Sequence, residues 1–179
     1  KDVLHGRGFY KWANGNTYSG EFRNNFFDGY GELNNSNSYY YGNWQEGKKN
    51  GLGKEKYTDG SLYEGNFYND LKEGMGTFTW PNKNTYTGYW RNDRREGKGK
   101  MTYEDGSYYD GYWKTGFREG LGKMKFTNGD EFDGIWYADS RNGFGKMKYS
   151  NGDYYEGNWQ NSQRNGSGKF TYSGNIYNG

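Results

Sequence analysis

The chain has 179 residues, and its 24 basic and 22 acidic side chains leave a net charge of +2, too little for strong bulk attraction to nucleic acid or anionic lipid. The absence of cysteine excludes disulfide frameworks and cysteine-based metal sites. Only 30% of the residues are hydrophobic, most of them aromatic, and 32 are glycine, so a conventional aliphatic core is excluded.

A repeat of about 23 residues runs through the whole sequence. It superimposes a Gly-x-Gly pair eight times, from Gly6 and Gly8 to Gly166 and Gly168, and an aromatic-x-Gly-x-aromatic unit such as Tyr109-Gly111-Trp113 seven times. A fixed period of this length indicates a repeat array in which each unit packs on its neighbours. Residues 1–179 are therefore predicted to form a single array of about eight repeats, a fragment of a longer array truncated at both ends.

The first repeat predicts a β-hairpin, because glycine and aromatic residues occupy alternate positions on both sides of a glycine-containing turn. If Tyr10 and Tyr18 share a face, they must pair directly around the three-residue loop Ala13-Asn14-Gly15, with glycine in the left-handed position. The same interpretation applies to Thr58-Asp59-Gly60, Glu104-Asp105-Gly106, Thr127-Asn128-Gly129, Ser150-Asn151-Gly152 and Pro81-Asn82-Lys83, the last with Lys83 where glycine is expected.

Two repeats are one residue shorter and still place their aromatic or apolar residues on the same face. Leu33 can pair with Tyr40 around Ser36-Asn37, and Phe170 can pair with Tyr177 around Ser173-Gly174. The seven positions between hairpins, as from Trp113 to Gly120, require an even-length turn. The predicted fold is all-β: an elongated, single-layer antiparallel meander of tandem β-hairpins, twisted or curved.

This register produces rows of residues across the sheet. One face carries a row of aromatic or long apolar residues, with Glu55 as its exception, then a glycine row, then a row alternating Gly with Phe or Trp, as in Gly97, Trp113 and Gly120. Rings on one strand are expected to lie over bare backbone on the next. On the opposite face, directly opposed residues from Lys100 to Lys169 alternate in charge, and each such pair contributes roughly 0.2–1 kcal/mol.

The Tyr-x-Gly-x-Trp unit, the seven positions to Gly-x-Gly and the Asp-Gly or Asn-Gly turns resemble the MORN (membrane occupation and recognition nexus) repeat. The resemblance covers essentially the whole chain and implies a rod-like or curved sheet that serves as a scaffold. The asparagine-rich composition adds a similarity to all-repeat MORN scaffolds at the basal and budding complexes of apicomplexan parasites, which implies roles in the cytoskeleton and in cell division.

The chain departs from the repeat pattern at a position where the family often has histidine. Only His5 keeps that residue, and the other copies carry Asp28, Asn50, Glu73, Glu96, Glu119, Asn142 and Asn165.

No catalytic, cofactor or metal site is predicted. Each Gly-x-Gly opens a strand without a following helix, which argues against a phosphate loop. His5 stands alone, and no nucleophile, base and orienting group recur together.

Two surfaces are candidate interaction sites. A groove lined by aromatic residues is expected to accept an amphipathic helix or an extended peptide, because a single layer leaves rings uncovered. Its residues are Tyr63, Trp90, Tyr109, Trp113, Tyr155 and Trp159. A basic row, alternatively, places cations where phosphoinositide or anionic membrane could bind, although acidic residues follow several of them. Its residues are Lys49, Lys72, Arg95, Arg118, Arg141 and Arg164.

The last hairpin has an apolar edge that predicts a homodimer with twofold symmetry, since unpaired strands recruit other strands. The edge comprises Phe170, Tyr172, Ile176 and Tyr177. The leading hypothesis is a non-enzymatic scaffold that recruits proteins to a cytoskeletal or cortical structure in the cytoplasm. The alternatives are a lipid-binding module, or the recognition part of an enzyme whose catalytic domain lies outside these residues.

Overall fold

The computed structural model describes residues 3–179 and contains, within them, sixteen β-strands and no helix. The strands follow one another in chain order in one antiparallel sheet, which confirms the predicted meander. The internal contacts divide the chain into two units, residues 1–94 and 95–179, which are described separately.

The strands of the first unit are β1 Gly6–Lys11, β2 Thr17–Arg23, β3 Phe26–Asn34, β4 Ser38–Gln45, β5 Lys48–Tyr57, β6 Leu62–Tyr68, β7 Leu71–Thr79 and β8 Thr85–Arg91. Those of the second unit are β9 Arg94–Thr102, β10 Tyr108–Lys114, β11 Phe117–Lys125, β12 Glu131–Tyr137, β13 Ser140–Lys148, β14 Tyr154–Gln160, β15 Gln163–Tyr172 and β16 Asn175–Asn178, with β9 beginning at the boundary residue.

The hairpin loops have the predicted length. Tyr10 pairs with Tyr18, and the Trp12 N–H donates to the Asn16 carbonyl at 3.0 Å, which leaves three loop residues ending in Gly15 at φ +89°. Lys83 occupies the corresponding position and has φ +63°. It therefore adopts the left-handed conformation that glycine adopts in the other loops, although a side chain makes this conformation less favourable. Each of these hairpins therefore presents its aromatic rings to one side.

The two shorter hairpins also keep the predicted register. Leu33 pairs with Tyr40, and the Asn35 N–H donates to the Ser38 carbonyl across the two-residue loop. Phe170 pairs with Tyr177. In these two repeats the loop is one residue shorter, so each strand keeps the same face towards the aromatic layer.

The turns between hairpins contain two residues, as an even-length turn requires, but the strand beside them carries a bulge. Thr115 and Gly116, at φ +48° and +93°, form one such turn. Trp113 therefore pairs with Arg118, and the prediction that it lies beside Gly120 is wrong. Three residues of β11, centred on Gly120 at φ +79°, lie opposite the single residue Tyr112, and this bulge shifts the register locally.

The core is an aromatic layer over a glycine row. Tyr109 is fully buried, and a Cβ added to Gly122 would lie 2.2 Å from its hydroxyl oxygen. The Tyr109 hydroxyl donates to the Tyr112 carbonyl at 3.0 Å, and the indole Nε1 of Trp136 donates to the Gly122 carbonyl at 3.0 Å. As predicted, aromatic rings lie over bare glycine backbone. The rings, however, belong to the row of aromatic or long apolar residues and the glycines to the glycine row, whereas the prediction placed the contact in the row that alternates Gly with Phe or Trp.

The charged row has the predicted register, but some of its ion pairs differ from the directly opposed pairs that the sequence predicts. Asp110 pairs with both Lys100 and Lys123 across the strands. The Lys123 ammonium nevertheless lies 3.1 Å from Glu131, in the next row outward. Lys146 and Glu156 are directly opposed and do form an ion pair, at 3.3 Å. These pairs are largely solvent-exposed and contribute little to the free energy of unfolding.

The buried tyrosines predict a loss of stability at alkaline pH. Burial, together with the nearby carboxylates of Glu21 and Asp28, raises the pKa of Tyr18 to about 12. Burial also raises the pKa of Tyr63 and Tyr109 above the ordinary value. Because the folded pKa lies above that of the unfolded chain, this stabilisation is complete below about pH 10 and is lost as the pH rises towards 12.

Phenolate absorbance followed together with circular dichroism tests this. We expect the buried tyrosines to ionise only as the β signal disappears. Tyr109→Phe should remove signal from this step. One reversible step for all 21 tyrosines, with the β signal intact, would contradict the prediction.

Candidate functional site

The aromatic residues predicted to line an open groove are buried, so the structure corrects that prediction. Tyr63 and Tyr109 are 0% exposed, and the most exposed member, Trp90, is 6% exposed. The full set is Tyr63, Trp90, Tyr109, Trp113, Tyr155 and Trp159. The rings cover one another edge to face, as Tyr109 does with Trp113 and Trp136, both at 5.2 Å between centroids. The rings themselves fill the space expected for a partner.

The basic row closes this layer from one side. The guanidinium of Arg118 lies 4.4 Å from the centroid of Trp136 and also contacts the Asp139 carboxylate at 2.9 Å. Arg141 lies 4.4 Å from the ring of Trp159 and donates to the Ser162 carbonyl. Every member of the predicted set is placed over an aromatic ring: Lys49, Lys72, Arg95, Arg118, Arg141 and Arg164. These cations stabilise the aromatic layer.

The carboxylates at the family's histidine position bind the next turn. Glu119 accepts a hydrogen bond from the Ala138 N–H at 3.2 Å, and Glu96 accepts one from the Thr115 N–H at 2.8 Å. In the opposite direction, Asp139 accepts one from the Arg118 N–H at 2.9 Å. Successive turns are thereby connected, and these residues have a structural role.

Glu55, the misfit of the aromatic row, is buried and fully paired. Its carboxylate accepts hydrogen bonds from Ser38 at 2.7 Å and from Tyr57 at 3.0 Å, and it forms an ion pair with Lys49. Burial, and then the charge of Glu55, raise the pKa of Tyr57 above its ordinary value. The cluster replaces one ring of the layer with a satisfied polar network.

The residues predicted to form a dimer edge are mostly exposed. Tyr172, Ile176 and Tyr177 are 45%, 60% and 63% exposed, and Phe170 stacks on Tyr172 at 5.5 Å between ring centroids. The short strand β16 brings them together. Dimerisation through this hairpin stays a prediction.

An exposed apolar stripe lies on the face opposite the aromatic layer, where sequence reasoning placed only charges. Its residues lie between the two glycines of Gly-x-Gly, as Leu52 does, or between glycine and the aromatic that follows, as Ile135 does. We call this set the outer stripe. In the first unit it comprises Tyr30, Leu52, Met75 and Tyr89, and in the second Tyr112, Leu121, Ile135 and Phe144. Strand alternation puts the residue between two inward glycines on the outer face, and this signal could have identified the stripe.

The outer stripe borders a groove in the first unit. Tyr30 and Tyr41 lie at one end, Leu52 and Leu62 in the middle and Thr79 at the other end, around a volume of about 640 Å³. Lys54 and Glu64 also line the groove, and they form an ion pair at 3.2 Å.

The second unit has a smaller depression on the same face. Leu121, Ile135 and Phe144 form its apolar part, and Asp133 and Lys146 lie beside them, around a volume of about 280 Å³. The outer stripe is therefore accessible in each unit.

Within residues 3–179, metal-ligand clusters and membrane-spanning helices are both absent. No three His, Asp or Glu side chains are grouped as ligands for a metal ion. No helix in this part of the chain is long and apolar enough to cross a bilayer.

Comparison with protein families gives the class of the chain. The MORN repeat model matches eight segments: residues 1–17, 18–37, 40–62, 63–85, 86–108, 109–131, 132–154 and 155–175. The chain belongs to the MORN repeat family.

Among curated proteins, Alsin from Rattus norvegicus and Alsin from Homo sapiens are each 47% identical to this chain over 62 residues. The match covers 31% of this chain and 4% of each relative. The chain therefore aligns with only a small part of these relatives.

Two solved structures are similar in fold. The TCP10 domain of CPAP from Danio rerio is 10% identical, with a TM-score of 0.52 over 95% of this chain and 81% of that one. The TCP domain of SAS-4 from Drosophila melanogaster, in complex with a proline-rich motif of Ana2, is 13% identical, with a TM-score of 0.47 over 96% of this chain and 88% of that one. At this identity the likeness concerns the fold alone.

Proposed function

We propose that this MORN-repeat chain is a non-enzymatic scaffold that binds protein partners through the outer stripe and forms a homodimer through its last hairpin. The observation that carries the proposal is the contrast between the two faces. Tyr63 and Tyr109 on the inner face are fully buried, whereas Leu52 and Leu121 on the outer face are 64% and 63% exposed. The outer face therefore offers apolar surface to a partner in each unit.

The outer stripe has the composition of a partner surface. In the second unit Leu121 and Ile135 pair directly across β11 and β12, so their exposed side chains are neighbours. Charged residues such as Asp133 and Lys146 lie beside them. An apolar patch bordered by polar residues is typical of protein interaction sites.

A scaffold without catalysis is supported by the roles that the ionisable groups already have. Glu55 is held by Lys49, Ser38 and Tyr57. Glu119 and Asp139 bind backbone N–H groups of neighbouring turns. Such groups fix the repeat geometry, and the Ser38 hydroxyl that donates to Glu55 is buried with it.

Location at a cytoskeletal or cortical structure is the finer part of the proposal and rests on resemblance to other MORN-repeat scaffolds. The phosphoinositide alternative receives less support. Arg118 and Arg141, which would have to face lipid headgroups, are directed at Trp136 and Trp159 instead.

Partner capture from an extract of the source cells tests the binding surface. Replacing Leu52 and Ile135 with Ser should remove most captured partners, because the apolar stripe is interrupted in each unit. A matched control replaces Tyr68 and Tyr137, which are also exposed but lie beside the turns, with Ser. We expect at least a tenfold loss of captured protein for the first variant and less than a twofold loss for the control. Equal capture by both variants would refute the outer stripe as the binding surface.

Sedimentation equilibrium at tens of micromolar tests the homodimer separately. The expected mass is twice the 20.9 kDa of one chain. Replacing Ile176 and Tyr177 with Lys should return it to one chain, since charged side chains block strand edges, while Tyr137→Lys should not. A wild-type mass equal to one chain would exclude dimerisation.

A further inference from the structure

The groove of the first unit, bordered by the outer stripe, is lined mainly by uncharged residues. Tyr30, Tyr41, Leu52 and Leu62 supply rings and apolar side chains, and Thr79 adds a hydroxyl. The only charges in the lining, those of Lys54 and Glu64, neutralise each other at 3.2 Å. The complementary occupant is therefore a segment with little charge.

Glycines on three consecutive strands expose backbone in this groove. Gly42, Gly53 and Gly65, on β4, β5 and β6, line it beside the larger side chains. Each has its inner side covered, as Gly53 does by the ring of Tyr40. The missing side chains would point to that inner side, so on the outer face these residues expose only backbone.

The spacing of the lining residues favours one backbone conformation. Tyr30 and Leu52 occupy the same repeat position on β3 and β5, and two strand spacings amount to about 9.6 Å. A polyproline II helix advances about 9.3 Å in its three-residue turn, so residues i and i+3 of such a helix would meet Tyr30 and Leu52 in the same way. An α-helix, with a turn of about 5.4 Å, fits this spacing less well.

Tyrosine rings are also suited to proline chemically. Flat aromatic side chains pack on pyrrolidine rings, and their hydroxyls donate to the carbonyls that polyproline II leaves free. Tyr39 lies beside Tyr41 outside the lining, and because its hydroxyl already donates to Glu32 at 2.7 Å it offers only its ring. A preformed polyproline II segment loses little conformational entropy on binding, which matters in an open groove.

We infer that the groove of the first unit binds an uncharged, proline-rich segment of a partner protein in the polyproline II conformation. This inference rests on the proposed function and specifies the partner class for one part of the outer stripe. A second copy of the chain would need a complementary sheet edge, which the lining does not contain, and an amphipathic helix fits the spacing of Tyr30 and Leu52 less well.

Selection from a random dodecapeptide display library on the intact 179-residue array tests the inference. Pools are compared between wild type and the Tyr30→Ser, Leu52→Ser double variant, whose changes are at exposed sites and should leave the β circular-dichroism signal unchanged. We expect wild type alone to enrich peptides with prolines at i and i+3 and few charges. Enrichment of leucine-rich amphipathic or strongly charged peptides, or equal pools on both proteins, would overturn the inference.

The affinity of the most enriched peptide, measured by fluorescence anisotropy, gives the second readout. Leu52→Ser should weaken binding at least tenfold. Leu121→Ser is the matched control, because Leu121 holds the same repeat position in the second unit with nearly the same exposure, and should change binding less than twofold. Affinity should be nearly independent of salt, since no charge pair is involved. Equal effects of the two substitutions, or a tenfold loss at high salt, would contradict the assignment.

The outcome can be separated from that of the proposed function. If the groove selects no proline-rich peptide while partner capture still requires the outer stripe, the inference fails and the scaffold function stands. If neither capture nor peptide binding depends on the outer stripe, both fail.

Discussion

The contact on which the fold depends is that of a tyrosine ring with two glycines of adjacent strands. Tyr109 lies over Gly111 and Gly122, and a Cβ on either glycine would come within 2.5 Å of the ring or its hydroxyl. The hydroxyl donates to the Tyr112 carbonyl beside the bulge, so one side chain sets both the packing and the local backbone. Tyr63 and Gly76 repeat this arrangement in the first unit. Glycine, usually unfavourable in strands, is required here because a ring occupies the space of its side chain.

This constraint determines which face of the sheet can bind a partner. Rings that lie flat on glycines are buried on the inner face, and cations such as Arg118 close the layer from its side. The glycine that admits the ring also brings its neighbour in sequence to the opposite face, where Leu52 and Leu121 remain exposed. Packing on one face and binding on the other therefore follow from the same Gly-x-Gly spacing.

The sequence was sufficient to predict the strands, the hairpin loops and the register within each hairpin, because an error of one residue would have turned Tyr18 or Tyr40 to solvent. The bulge at Gly120 was not predictable from alternation, since two extra residues on one strand preserve the even length of the turn. The aromatic groove was wrongly predicted because a single layer was expected to leave rings uncovered, whereas edge-to-face packing covers Trp113 and Trp136 within the layer. The exposure of Leu121 was not predicted, because the residue between the two glycines of Gly-x-Gly was given no role of its own.

A double-mutant cycle on Gly122 and Tyr109 tests the central contact most directly. Gly122→Ala alone should lower the free energy of unfolding by about 3 kcal/mol, through overpacking against the ring. In a Tyr109→Leu background, where the ring is removed, the same change should cost markedly less, with a coupling above about 1 kcal/mol. Additive effects of the two substitutions would show that the ring does not occupy the space above Gly122, and would contradict the account of both faces.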